Sequence, residues 1–179
     1  MVRKESYILT ELDLIQATPD DVISGALDDE IRARMEEVIK TEAPIREELL
    51  YKRVINSLSL QKVGSRILVK FNEIASGLDY SFIEENGEKV YLQGNVDFFR
   101  PTPDSEVRYS YQIPYIEGAC TILYILENSD KSSFTQKDML RCFAETMGYQ
   151  KVGAKVLELF KESLKDPRIR KNKNGRIQK

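Results

Sequence analysis

The amino-acid sequence predicts a mostly helical α+β protein built from tandem duplicated winged helix-turn-helix subdomains. Three observations lead to this fold class. The segment Gln-Lys-Val-Gly occurs at residues 61–64 and again at residues 150–153, an offset of 89 positions. Apolar residues at helical spacing precede and follow each copy of this segment. Each third helix is then followed by β-prone residues around an Asn-Gly dipeptide, which favours a tight hairpin turn.

The duplication extends beyond the four identical residues. At the same offset, the matching positions are Ile67 and Val156, Leu68 and Leu157, Phe71 and Phe160, and Glu73 and Glu162. Two copies are too few for a solenoid, which needs about three or more repeats. We therefore predict an N-terminal arm over residues 1–27, winged-helix copy one over 28–92, an ordered bridge over 93–113 and winged-helix copy two over 114–179.

Copy one contains helix, short strand, two helices and hairpin in that order. Residues 18–21 (Thr-Pro-Asp-Asp) indicate a turn or helix start in the arm, which we expect to pack on this copy. Ile31, Met35, Val38 and Ile39 follow one helical face, and Pro44 ends that helix. A second helix starts after residue 45 and a third runs over about residues 64–75. The strands are predicted at residues 80–83 and 89–92, around Asn86-Gly87.

Copy two repeats this order after the bridge. In the bridge, Val107, Tyr109, Tyr111 and Ile113 alternate with polar residues, which predicts a strand. The first helix of copy two follows Pro114 and is apolar on most faces. A capping box at residues 135–138 begins the second helix, and the third helix begins at Gly153. Its hairpin turns at residues 174–175. The bridge also contains four aromatic residues, Phe98, Phe99, Tyr109 and Tyr111. We expect them either to stack on nucleic-acid bases or to fill a core.

Composition excludes several classes of function. The 179 residues are 41% hydrophobic and 31% charged, which are globular values. No apolar run reaches the roughly 18 residues of a membrane span, so we predict a cytoplasmic protein without membrane contact. The chain has no histidine, no CxxC pair and no glycine-rich phosphate loop. We therefore predict no metal site, no cofactor and no catalytic activity.

The net charge of −2 conceals an asymmetry along the chain. Counting Lys and Arg against Asp and Glu gives −7 for residues 1–50 and +7 for residues 151–179. A basic terminal block is typical either of a nucleic-acid contact or of a solvated face. The acidic pI of about 5.5 is lower than that of most dedicated DNA-binding domains, whose pI exceeds roughly 9.

Three stretches resemble a known family. They are Glu-Ala-Pro-Ile-Arg-Glu-Glu-Leu-Leu with a following Arg-Val at residues 42–54, Lys-Val-Gly-Ser-Arg-Ile at 62–67 and Tyr-Gln-Lys-Val-Gly at 149–153. The resemblance is to an uncharacterised C-terminal domain of large bacterial proteins that also carry superfamily I helicase motors and often a nuclease similar to very-short-patch-repair endonucleases. It implies a non-catalytic accessory module of a DNA-processing protein. The motor and nuclease motifs themselves lie outside this sequence.

Two functions follow as expectations. In the first, the chain contacts DNA, because the third helix of a winged helix enters the major groove and the wing touches the backbone. The candidate residues in copy one are Lys62, Ser65, Arg66, Lys70 and Lys89, and those in copy two, the preferred copy, are Lys151, Lys155, Lys161, Arg170, Lys171, Lys173 and Arg176. In the second, the chain docks onto helicase motor or nuclease domains, or forms a homodimer, without touching DNA.

Overall fold

The computed structural model describes residues 1–178 and shows the expected mostly helical α+β architecture. Within the described residues, no helix is long and apolar enough to cross a membrane. The elements in chain order are β1 (Arg3–Lys4), α1 (Pro19–Ile23), α2 (Asp28–Glu42), β2 (Ile45–Arg46), α3 (Glu47–Ser57), α4 (Ser65–Ala75), β3 (Phe82–Glu85), β4 (Glu88–Tyr91), β5 (Phe98–Phe99), α5 (Tyr115–Asn128), β6 (Ser133–Phe134), α6 (Gln136–Met147), α7 (Ala154–Ser163), β7 (Arg170–Lys171) and β8 (Ile177–Gln178).

The chain divides into two compact units. The first unit is Ile8–Gly94, and the second unit combines Met1–Tyr7 with the described residues from Asn95 onward. The predicted arm is therefore shared, because its first seven residues belong to the second unit and the rest to the first. By sequence, the first unit carries 10 basic and 17 acidic residues, and the remainder of the chain carries 17 and 12. The net charges are −7 and +5, so the asymmetry of the sequence follows the division into units.

The first unit packs α1 to α4 around one apolar core. The residues predicted for the buried face of α2, which are Ile31, Met35, Val38 and Ile39, are all fully buried. Thr18 begins α1 with a capping box, in which its hydroxyl accepts from the Asp21 amide and the Asp21 carboxylate accepts from the Thr18 amide. This confirms the helix start in the arm.

The predicted hairpin of the first unit is confirmed. β3 and β4 are antiparallel, with Glu85 opposite Glu88 across a turn whose residues Asn86 and Gly87 have φ of 51° and 79°. Positive φ at both central positions is what an Asn-Gly turn accommodates. β2 pairs with β4 on the other side, so the sheet order is β2-β4-β3. The hairpin is thus tied to the segment that joins α2 to α3.

The second unit repeats the same order of elements. Its sheet order is β6-β8-β7, the counterpart of β2-β4-β3, and its hairpin turn places Gly175 at a φ of 72°. Phe143 of α6 and Phe160 of α7 pack in its core with ring centroids 5.5 Å apart. The unit adds one feature that the first lacks among the described residues, a parallel pairing of β1 with β5. Lys179, counted in the basic block, lies outside the described residues.

The prediction of a strand over residues 107–113 is wrong. Ser110–Gln112 form a 3₁₀ turn instead, and the Tyr109 amide donates to Gln112 Oε1 at 2.7 Å. Alternating apolar residues form a strand only where a neighbouring strand offers hydrogen-bond partners. Here the alternation reflects the burial of Ile113 and the partial exposure of Tyr109 and Tyr111.

The backbone supports the duplication independently of residue identity. Ser59, just after α3, has a φ of 58°, and Gly148, 89 positions later and just after α6, has a φ of 84°. A left-handed residue is a common way to end a helix, and both copies use it before the repeated Gln-Lys-Val-Gly. In each copy, the final glycine of that segment is the N-cap residue of the third helix.

Candidate nucleic-acid interface

In the first unit, the candidate residues divide into exposed and engaged groups. Lys62, Ser65 and Arg66 are exposed at the start of α4. Lys70 Nζ lies 3.2 Å from the Asp28 carboxylate and 3.6 Å from that of Glu73, and the hydrogen bond to Asp28 raises the pKa of Lys70. The Lys70 charge is therefore already compensated within the protein.

The hairpin of the first unit is acidic. Glu84, Glu85 and Glu88 flank its turn, and the guanidinium of the buried Arg46 lies 2.8 Å from Glu85 and 3.4 Å from Glu88. Lys89 Nζ lies over the Phe82 ring at 4.8 Å from its centroid. Carboxylates at a hairpin tip repel the phosphate backbone that a DNA-binding wing contacts. The hairpin of the first unit is therefore poorly suited to contact with DNA.

The third helix of the second unit has exposed basic residues at both ends. Lys151 precedes the helix, and Lys155 and Lys161 lie on it. Lys155 Nζ is 2.9 Å from the Glu158 carboxylate in a pair that is largely exposed to solvent. Such pairs contribute little and break readily, so Lys155 can exchange this partner for a phosphate. Glu158 was not anticipated, although its three-residue spacing from Lys155 is visible in the sequence.

Among the described residues, α7 has no side chain that caps its N-terminal amides. Its N-cap residue is Gly153, and a Cβ atom built there would meet nothing within 4 Å. Free amides at a helix start favour anions, and they add to the attraction of the neighbouring lysines for phosphate.

The hairpin of the second unit carries the larger share of accessible positive charge. Arg170, Lys171 and Lys173 are exposed, and within the described residues none of them lies in a salt bridge. Arg176 differs, because it is half-buried and donates to the Ser133 hydroxyl at 2.8 Å and to the Ser133 carbonyl at 3.3 Å. Arg176 thereby fastens the hairpin to β6, whereas the other three point their charge toward solvent.

The bridge aromatics separate into two roles. Phe99 is buried against Tyr124 at 5.0 Å between ring centroids, so it fills the core. Tyr109 and Tyr111 are stacked at 5.3 Å with an interplanar angle of 11°, and their exposures are 44% and 43%. The 3₁₀ turn that carries them packs against α7. The stacked tyrosines are therefore the aromatic candidates for a base contact near the basic start of α7.

Sequence reasoning missed a buried charge cluster in the second unit. The Glu117 carboxylate accepts from Arg108 Nη2 at 2.7 Å and from Arg100 Nη2 at 3.0 Å, and the three side chains are nearly inaccessible. Both guanidiniums also lie over the Tyr7 ring, that of Arg100 at 4.6 Å and that of Arg108 at 4.5 Å from the ring centroid. The cluster fixes residues 1–7 onto the second unit, and no local sequence pattern signals it.

Comparison with known proteins gives one match. A family model described as "Protein of unknown function (DUF3320)" matches residues 20–68, which span most of α1 through the beginning of α4 in the first unit. The similarity to an uncharacterised domain is thus confirmed for this stretch. No curated protein and no solved structure matches the chain significantly.

Proposed function

We propose that the chain is a non-catalytic accessory module of a DNA-processing protein and that it contacts DNA through winged-helix subdomains, mainly the second. The order helix, strand, helix, helix and hairpin, with the three strands in one antiparallel sheet, supports the winged-helix interpretation of both units. In that fold the third helix and the hairpin face the nucleic acid. The resemblance of the sequence to a domain of helicase and nuclease proteins supplies the DNA-processing context.

The observation that carries the proposal is the unpaired positive charge of the second unit. Lys151 and Lys161 at the third helix, together with Arg170, Lys171 and Lys173 at the hairpin, are exposed and lack a salt bridge among the described residues. Five such cations can replace about five condensed counterions on a duplex, so binding should fall steeply with salt. Backbone contacts of this kind give affinity without sequence preference.

A docking function is the second candidate, and the first unit favours it. Its third helix α4 exposes Leu68 and Val69 to solvent by 41% and 68%. Apolar side chains on the exposed face of a helix are suited to a protein partner and poorly suited to phosphate. This unit is also net acidic, so it would add nothing to the affinity for DNA. The partner would be a motor or nuclease domain, or a second copy of the chain.

Titration of labelled DNA with the whole chain tests the proposal. We expect binding of short duplex and single-stranded DNA at about 50 mM salt that weakens strongly by about 200 mM. Reversing three charges in Lys151→Glu, Lys155→Glu and Lys171→Glu should reduce affinity more than tenfold and lower the salt slope by about 2 to 3.

The matched control is reversal of Lys62 and Arg66, the corresponding exposed cations of the first unit. We expect this control to change affinity less than threefold. Absence of binding at low salt would refute DNA contact and leave docking as the function. A larger effect from Lys62 and Arg66 than from the second-unit variant would refute the assignment to the second unit.

A further inference from the structure

The first unit contains a groove on the side of α3 that faces the start of α4. Its volume is about 520 Å³, which is large enough for a few side chains of a bound segment and too small for a domain. It is lined by α3, by the segment that leads into α4, by α4 itself and by the start of β4. None of the basic residues proposed for DNA contact in the second unit belongs to it.

The floor of the groove is apolar. Tyr51 and Ile55 present the outer edge of the core, with exposures of 3% and 2%. Val63 and Leu68 extend this surface, and Leu68 is 41% exposed. Burial of an aliphatic side chain against such a floor is favourable because it removes apolar surface from water. The floor therefore selects a ligand that carries at least one apolar side chain.

The rim of the groove is acidic and partly fixed. Glu47 accepts from the Tyr91 hydroxyl at 2.7 Å, and Glu88 accepts from the Glu48 amide at 3.1 Å. The Glu48 side chain itself is exposed. Three carboxylates stand against the amine of Lys52 and the guanidinium of Arg46, which lies 3.4 Å from Glu88. The rim therefore keeps a net charge of −1, which favours a cationic ligand and disfavours DNA.

The second unit carries the opposite charge at the corresponding positions. At the offset of 89, Glu47 and Glu48 become Gln136 and Lys137. The apolar positions are kept, since Tyr51, Val63 and Leu68 correspond to Leu140, Val152 and Leu157. The copies thus share the apolar pattern and differ in the charge around it. One floor position also becomes smaller, since Ile55 corresponds to Ala144. The reversed charge at the helix start is what indicates a ligand of different charge.

We propose that this acidic groove binds an amphipathic segment of a partner protein, with apolar side chains on the floor and Lys or Arg beside the rim. A helix laid in a groove recognises its partner through side chains about one turn apart, which suits an apolar floor edged by charge. This interaction goes beyond the DNA contact of the second unit and does not depend on it. It gives the first unit a ligand of opposite charge to that of the second.

A synthetic peptide supplies the probe. We would use a labelled helix of about four turns with Leu along one face and Lys on the flanks, and an isomer with Glu in place of every Lys. Fluorescence anisotropy with the whole chain should show binding of the Lys peptide only. Glu48→Lys and, separately, Leu68→Gln should each weaken it at least tenfold.

Glu84→Lys is the matched control, because Glu84 is an exposed carboxylate of the same unit outside the groove. We expect it to change affinity less than threefold. Equal loss from Glu84→Lys and Glu48→Lys would reduce the binding to general charge attraction and overturn the proposal. Failure of both peptides, with self-association of the chain that Glu48→Lys abolishes, would make a second copy the occupant and would also overturn it.

Discussion

The buried cluster around Glu117 makes the sharpest prediction about stability. Glu117 is fully buried, and its carboxylate accepts hydrogen bonds from the Arg100 amide at 2.8 Å and from guanidinium nitrogens of Arg100 and Arg108. Glu117→Gln keeps the shape and removes the charge. It removes the negative charge that both buried guanidiniums contact, and it turns an amide NH₂ toward groups that are themselves donors.

The magnitude follows from the burial. Removing one partner of a buried ion pair costs about 3 to 5 kcal/mol, because the remaining charge is left unsolvated. The pKa of Glu117 gives a similar figure: burial alone would raise it, but Arg108 and Arg100 outweigh burial and lower it from 4.5 to about 2. That fall corresponds to roughly 3 kcal/mol of unfolding free energy. The control Glu158→Gln breaks an exposed pair, which solvent screens, and should cost much less than Glu117→Gln.

Urea unfolding followed by far-UV circular dichroism measures this difference, since the chain has no tryptophan to report by fluorescence. Hydrogen exchange should place the lost protection in α5 (Tyr115–Asn128) and leave α2 (Asp28–Glu42) unchanged. A cost below about 1 kcal/mol for Glu117→Gln would refute the reasoning, since it falls in the range of an exposed pair. Equal loss of protection in both helices would show that the effect is not local.

The pH dependence has a defined sign. Because the pKa of Glu117 is lower in the folded protein than its ordinary value of 4.5, its contribution is present above pH 4.5 and is lost as pH falls toward 2. The wild-type protein should therefore lose more stability than Glu117→Gln over this interval. Parallel loss of stability in both proteins would contradict the lowered pKa.

Two further predictions concern the duplication and the stacked tyrosines. Ser59→Gly should raise the unfolding free energy by about 0.5 to 1 kcal/mol, because glycine adopts a φ of 58° without strain. Gly148→Ser should lower the unfolding free energy by about 1 to 2 kcal/mol, because a residue with a Cβ atom is strained at a φ of 84° and this Cβ would approach Pro103 Cγ to 3.1 Å. Thermal unfolding measures both changes, and shifts of the same sign would contradict the equivalence of the two sites. Tyr111→Ala should weaken the binding of single-stranded DNA by about 1 to 3 kcal/mol, whereas Tyr111→Phe should retain it. If the Ala variant binds as tightly as the wild-type protein in the same titration, the stacked tyrosines have a structural role only.

The sequence predicted the parts of the fold that depend on local pattern. The helical face of α2, the turn at Asn86-Gly87 and the helix start at Thr18 each depend on residues within a few positions of one another, and each is confirmed. The parallel pairing of Arg3 with Phe98 joins residues 95 positions apart, and a strand of two residues is too short to show an alternating pattern in the sequence.

The candidate site was predictable in composition and only partly in geometry. The basic residues of the second hairpin were visible as a run of charge, and three of them are exposed without a salt bridge among the described residues. Arg176 belongs to the same run, yet it donates to Ser133 across the sheet. Lys70 likewise reaches Asp28, 42 positions away. A charge count gives the sign of a surface, whereas tertiary contacts decide which charges remain available.

The two units share one order of elements and differ in surface charge. A core position must satisfy packing from several sides, so large changes there are costly, whereas an exposed position at a helix start or hairpin turn can change charge at little cost in stability. The replacement of Glu48 by Lys137 occurs at such a position, because both side chains are exposed. If the second unit binds phosphate and the first binds a cationic segment, the whole chain can hold DNA and a basic partner protein at once. The charges of the units are the reason to expect this division, because the first unit has a net charge of −7 and the second of +5.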